Sequence, residues 1–249
     1  MRVYGLIGYP LSHSFSKRYF TDKFLGEGLR DCRYQLFPIE RVDEIYRVIE
    51  DNPDLRGFNV TIPHKRSIID LLDQSRLPEG LEACNCVRIE NGKLQGFNTD
   101  HIGFRKSLEP LLQAGPIKAI VLGNGGAARA VLYVLRQLGI EYRVVSRSSG
   151  DDATILYEEL DAGLIKEHLL IINTTPLGMY PYVNECPPIP YEVLSKEHIL
   201  FDLVYNPEKT LFLAKGEARG AKTRNGLEML EIQAEESWKI WTGTNTSFP

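Results

Sequence analysis

The 249-residue sequence predicts an α/β protein built as two units in sequence, each a mostly parallel sheet flanked by helices. Three observations carry this. Short apolar runs of strand length alternate with segments whose apolar residues recur at helical spacing. A glycine turn, Gly123-Asn124-Gly125-Gly126-Ala127-Ala128, lies near the middle, between a strand-like run and an Ala/Leu/Val-rich segment. No internal repeat, low-complexity tract or long linker interrupts the alternation.

Residues 3–8 read as a strand, and 17–25 as a helix with Tyr19, Phe20, Phe24 and Leu25 on its apolar side. Residues 34–39 form the second strand, and Val42, Ile45, Tyr46 and Ile49 mark the second helix. The third strand, 58–62, is ended by Pro63 and followed by a helix over 67–72. Residues 86–90 and 93–95, joined by Asn91-Gly92, form a hairpin. A helix runs from Asp100 to 112, with a turn-like break over 113–116. The strand 119–122 enters the glycine turn, whose helix ends at Gly139. Strands at 142–146, 169–173 and 199–204 follow, with a Pro-rich loop over 174–190. A helix over 210–219, a short strand over 221–224 and a helix over 227–241 complete the chain. Right-handed crossovers make such sheets parallel, and ligands then sit at the carboxyl ends of the strands.

Composition narrows the partners. With 43% hydrophobic and 25% charged residues the chain has an ordinary globular profile. A formal net charge of −4 supplies no basic field for nucleic acid. The first apolar run is too short for a signal-peptide core and none approaches bilayer length, so a cytoplasmic protein without a membrane partner is expected. Cys32, Cys84, Cys86 and Cys186 offer one C-x-C pair and no second pair, which predicts buried free thiols. The histidines lack H-x-x-x-H spacing, and no metal is expected.

The glycine turn fits the dinucleotide pattern G-x-G-x-x-A. Gly123 makes the turn, Gly125 lets backbone approach a pyrophosphate, and Ala128 lets helix and strand pack closely. Free N–H groups at the helix start then favour phosphate. In the first half, Ser14 and Ser16 follow the first strand at alternate positions and can hold a small carboxylate or simply cap the helix. Asn59 and Thr61 share one face of the third strand, with Lys65 just beyond. Asn85 is an amide in an apolar neighbourhood that calls for a partner, and Asp100 stands where the first half hands over to the second.

In order and combination these residues resemble the shikimate dehydrogenase family. The matching motifs are G-x-P-x-x-H-S-x-S at 8–16, N-V-T-x-P-x-K at 59–65, Asn85, N-T-D at 98–100, and G-x-G-G-A at 123–127. Asn173 through Met179, Asp202 through Tyr205, and G-L-x-M-L-x-x-Q at 226–233 complete the series. The resemblance implies an N-terminal substrate domain, residues 1–99 completed by 227–249, and a Rossmann-like NADP-binding domain, residues 100–226, with the active-site cleft between them. It implies reversible NADPH-dependent reduction of 3-dehydroshikimate to shikimate, a step of aromatic amino acid biosynthesis. Carried over, Ser14 and Ser16 bind the substrate carboxylate, Thr61, Asn85 and Gln233 hold ring hydroxyls, Asn59 and Tyr205 lie near the substrate, and Lys65 with Asp100 form the catalytic pair. Gly123, Asn124, Gly125, Gly126, Ala127, Ala128, Thr174, Leu203 and Gly226 fall to the cofactor. A monomer or homodimer is expected.

Elementary chemistry supports the same pair. Hydride addition to a ketone builds negative charge on oxygen, so a positioned cationic donor stabilises it and supplies the proton. Lys65 suits this, and Asp100 orients it and keeps it charged. Cofactor choice falls about 20 residues past the glycine turn, where Ser146-Arg147-Ser148 replaces the acidic residue that would take a ribose 2′-hydroxyl. Arg147 can fork onto a 2′-phosphate and the serines can donate to it; the other reading is a solvated surface arginine. Relative to the NADP-binding pattern, Ser146 replaces Asn, and Asp151 stands where a second arginine would be. A broader quinate/shikimate dehydrogenase, a non-catalytic NADP-binding regulator and an S-adenosylmethionine methyltransferase are the rival readings. Lys65 with Asp100 speaks against the regulator, and Ser146-Arg147 against the methyltransferase.

Overall fold

The structure is a computed structural model, and it describes residues 1–11, 14–112, 115–148 and 155–244. Two compact units emerge: Met1–Ile102 with Glu231–Pro249, and Gly103–Leu230. The first begins β1 (Arg2–Gly8), α1 (Phe15–Gly26), β2 (Cys32–Pro38), α2 (Ile45–Asp51) and β3 (Leu55–Val60). Then come β4 (Gln74–Ser75), β5 (Cys86–Glu90), β6 (Lys93–Phe97) and the start of α3 (Asp100–Leu108). Its six strands run in the order β2-β1-β3-β5-β6-β4. β1 pairs parallel with β2 and β3, whereas β5 is antiparallel to β3 and to β6. The predicted hairpin makes this sheet mixed, and Asn91 and Gly92 both take the positive φ that a tight hairpin turn needs, 53° and 74°.

The second unit contains β7 (Lys118–Leu122), α4 (Gly126–Gln137), β8 (Glu141–Ser146), β9 (Ile155–Leu156), α5 (Ala162–Glu167), β10 (Leu170–Asn173), β11 (Ile199–Asp202), α6 (Leu211–Glu217) and β12 (Lys222–Arg224). All its pairings are parallel, in the order β9-β8-β7-β10-β11-β12. Counted along the chain that is 3-2-1-4-5-6, the Rossmann order, whose reversal point lies between β7 and β10. The last helix, α7 (Leu227–Thr242), and α3 each contain a boundary between the two compact units. No helix among the described residues is long and apolar enough to cross a membrane.

Alternation along β1 sends Val3 and Ile7 to one face, with Ile45, Phe58 and Ile68, and Tyr4 and Leu6 to the other. There they meet Phe20 and Phe24 of α1 and Ala234, Ile240 and Trp241 of α7. Two expected core residues point outward instead: Leu25 is 83% exposed and Tyr46 55%. Each follows a buried residue, Phe24 or Ile45, and neighbours on a helix project about 100° apart. Residues 67–71 form a short 3-10 helix. β4, β9 and α5 were not anticipated, being too short to show a period.

Candidate active site

The turn after β3, the entry to β5, the start of α3 and the middle of α7 deliver one polar cluster within the first unit. Lys65 Nζ donates to Asp100 Oδ2 at 2.7 Å, with side chains 22% and 15% exposed. Asp100 opens α3, where the helix dipole favours a carboxylate. Its other oxygen accepts from Asn85 Nδ2 at 2.8 Å. Asn85 is clamped in turn: its Oδ1 accepts the Thr99 N–H at 2.6 Å, and its Nδ2 also reaches Thr99 Oγ1 at 2.9 Å and Gln233 Oε1 at 3.4 Å. Asn98 sets the helix start, accepting from the His101 N–H at 3.1 Å while donating to Ala83 O at 2.7 Å.

A second layer lies beneath. Asn59 Nδ2 donates to Asn85 O at 3.2 Å and Ser237 Oγ at 2.9 Å, and its Oδ1 accepts from Tyr34 Oη at 2.9 Å. Burial holds the same phenol well above the usual tyrosine range, with the nearby Ser16 side chain opposing the rise. Thus a continuous polar chain joins Tyr34 to Lys65 through Asn59, Asn85 and Asp100. Asn59 is buried, and the bonds it makes inside the unit brace Asn85. Ser14 does cap α1, accepting from the Lys17 N–H at 3.2 Å, but the cap uses a lone pair and leaves its O–H a donor. Thr61 follows β3 and donates its N–H to Ile7 O at 3.0 Å, beside the end of β1. Burial pushes the Cys84 thiol up to about 12 and the Cys86 thiol higher still, so neither is a nucleophile at neutral pH. The four cysteines are free; Cys32, Cys84 and Cys86 are buried and Cys186 is half-buried.

In the second unit the glycine turn occupies the reversal point of the sheet. Gly123 has φ +101°, and an added Cβ would stand 2.9 Å from Thr174 Oγ1. Thr174 closes the turn by donating to Leu122 O at 2.8 Å. Above it the backbone is open: a Cβ at Gly125 or Gly126 would meet nothing within 4 Å, while Ala128 is buried against the strand. Asn124 is exposed and Ala127 half-buried in the first turn of α4. Gly226 is required by close approach, since its Cβ would lie 2.1 Å from Leu203 O. Exposed Arg147 follows β8, but Ser146 turns inward. Its hydroxyl meets Ser148 O and accepts the Ser148 N–H at 3.3 Å, so it shapes the turn. Asp151 and His13 lie outside the described residues. Half-buried Tyr205 belongs to this unit. Asn173, Thr210 and the Val204 N–H all donate to buried Asp202, whose carboxyl burial pushes up to about 6 against those bonds.

Residues 6–87 match the family described as shikimate dehydrogenase substrate binding domain. A shikimate dehydrogenase (NADP(+)) of Methanococcus maripaludis strain S2 is 36% identical, over 97% of this chain and 92% of the relative. The chain belongs to the shikimate dehydrogenase family. Among solved structures of the family, shikimate 5-dehydrogenase from Thermus thermophilus in complex with NADP(H) and shikimate is 30% identical with a TM-score of 0.82, over 98% of this chain and 94% of that one. Shikimate 5-dehydrogenase from Listeria monocytogenes in complex with shikimate and NAD is 28% identical with a TM-score of 0.84, over 98% and 92%.

Within this member of the family, sequence reasoning missed Tyr34 and Ser237 and gave Thr99 no role. A buried tyrosine needs a partner for its hydroxyl, and Ser237 stands one turn beyond Gln233, on the same helix face. Those two signals were legible.

Proposed function

We propose that this chain catalyses the reversible NADP-linked reduction of 3-dehydroshikimate to shikimate, the first unit binding the ring acid and the second the cofactor. The observation that carries the reading is the Lys65–Asp100 pair at 2.7 Å, clamped by Asn85, in a chain of this family. Lys65 donates a proton to the carbonyl oxygen as negative charge develops there, and Asp100 aims and neutralises the ammonium between turnovers. In the reverse direction Lys65 takes the hydroxyl proton. Ser14, through its unused O–H, and Ser16 meet the ring carboxylate. Thr61 and Gln233 meet ring hydroxyls, and Asn85 aims Asp100.

The residues of the second unit fit a dinucleotide. The open backbone at Gly125 and Gly126 suits a pyrophosphate at the start of α4, and Leu203 and Gly226 form the close-packed wall expected beside the bound cofactor. When bound, the nicotinamide supplies the hydride. Arg147 takes the 2′-phosphate, with the Ser146 and Ser148 hydroxyls beside it.

The test follows nicotinamide absorbance with shikimate or quinate, offering NADP and NAD in turn. Turnover with shikimate and NADP is expected to lead; faster turnover with quinate favours the broader enzyme, and none with either sinks the proposal. Arg147→Ala is expected to lower kcat/KM with NADP about tenfold or more while leaving NAD nearly unchanged, because a charge-assisted pair contributes roughly 1.5–3 kcal/mol. The same cofactor preference in both proteins removes Arg147 from the site.

A further inference from the structure

Hydrogen-bond direction in the buried cluster is fixed at Asn85 and constrains the groups beyond it. Asn85 has a single possible orientation, because the Thr99 N–H can only donate to it and the Asp100 carboxylate can only accept from it. Its Nδ2 therefore donates to Thr99 Oγ1 at 2.9 Å, and Thr99 must send its own proton onward. Two acceptors lie within reach: Gln233 Oε1 at 3.3 Å and Ser237 Oγ at 3.2 Å. Ser237 already gives its proton to Gln233 O at 2.9 Å and accepts from Asn59 Nδ2 at 2.9 Å. Ser237 Oγ keeps one lone pair for the Thr99 proton and Gln233 Oε1 offers it the other acceptor, so Gln233 faces Thr99 with its oxygen. The reverse orientation would set its amide nitrogen against Asn85 Nδ2 at 3.4 Å, donor against donor. Its Nε2 is left turned away from the cluster, with no partner among the described residues.

We propose that Thr99 is a positioning residue: its hydroxyl locks the Gln233 amide so that Gln233 presents only N–H donors to the ligand, and the ring oxygen it meets must act as acceptor. Thr99 is itself fully buried. The inference rests on the proposed reading of the site, since it needs a ring acid to be measured. Its consequence is selective. A ligand whose oxygen at that position must donate leaves buried donors facing one another and is rejected.

The experiment is a double-mutant cycle on kcat and KM for the ring acid, using the intact chain. Thr99→Val keeps the shape and deletes both hydrogen-bonding functions, and is expected to raise KM about tenfold, a typical effect of one unmade buried bond. Thr99→Ser is expected to restore KM to within about threefold. If Thr99 acts through Gln233, the double variant T99V/Q233M has the KM of Gln233→Met alone within about twofold. Multiplying single effects in the double variant, or an unchanged KM in Thr99→Val, overturns the proposal. Should Thr99→Val not fold, Gln233→Glu carries the test. Its carboxylate presents acceptors in place of donors, so KM is expected to rise at pH 7.5 and to recover as the pH falls and the carboxyl regains a proton. A pH-independent, wild-type KM in that variant overturns it equally. A wild-type protein inactive with every ring acid refutes the proposed function instead, which keeps the two failures apart.

Discussion

Lys65→Ala is expected to lower kcat by roughly 10²–10⁴-fold, while KM for the ring acid changes by less than about tenfold. The asymmetry follows from where Lys65 acts. Negative charge on the carbonyl oxygen exists in the transition state and hardly at all in the bound ketone, so the ammonium is needed for turnover more than for binding. The fold should survive. Lys65 lies in a turn, its side chain is 22% exposed, and the bond that holds the turn runs from the Cys84 N–H to its backbone carbonyl at 2.7 Å. Asp100 would keep its Asn85 partner at 2.8 Å. Single-turnover reduction, monitored by nicotinamide absorbance, isolates the chemical step from product release. A kcat within threefold of wild type would remove Lys65 from the mechanism and leave its ion pair as a structural feature. Lys65→Arg should rescue poorly, because a guanidinium keeps the charge but does not release its proton near neutral pH.

How much of this site was readable in advance depends on what each residue does. Lys65 and Asp100 are 35 positions apart, and nothing in helical or strand periodicity joins them. Their partnership came from motif order, and the geometry supplies its distance. The second half was legible as a mostly parallel α/β unit around a glycine turn, while its Rossmann character came from the resemblance. Three things were hidden. Alternation places Asn59 beside Thr61 but says nothing of the bonds it makes to Tyr34 and Ser237. The local turn that the Ser146 hydroxyl shapes with Ser148 was not anticipated either. The direction of the Gln233 amide depends on bonds spanning 134 and 148 positions, which no local pattern encodes.

The second large effect concerns what holds Gln233 in place. Trp241→Ala is expected to cost about 3–5 kcal/mol, the usual range for removing a buried large aromatic, and to lower Tm by roughly 10 °C. Trp241 is 5% exposed and stacks on Tyr4 at 5.0 Å, with Phe20 at 5.2 Å and Tyr34 at 6.3 Å. Its indole N–H donates to Val87 O at 3.0 Å, so truncation leaves both a cavity and a buried carbonyl short of a partner. The sheet is shaped to receive the ring. A Cβ at Gly57 would stand 2.3 Å from Trp241 Cδ1, so Gly57→Ala should reproduce much of the loss from the opposite side of the contact. Thermal unfolding followed by circular dichroism checks both variants, and an unchanged Tm in both would show that the ring is not what seats α7. Function should follow stability here. α7 carries Gln233 and Ser237 two turns and one turn before Trp241, so a loosened helix blurs the amide that Thr99 orients. KM for the ring acid should therefore rise in Trp241→Ala well below its Tm, while Trp241→Phe, which keeps most of the buried area, should stay near wild type on both measures.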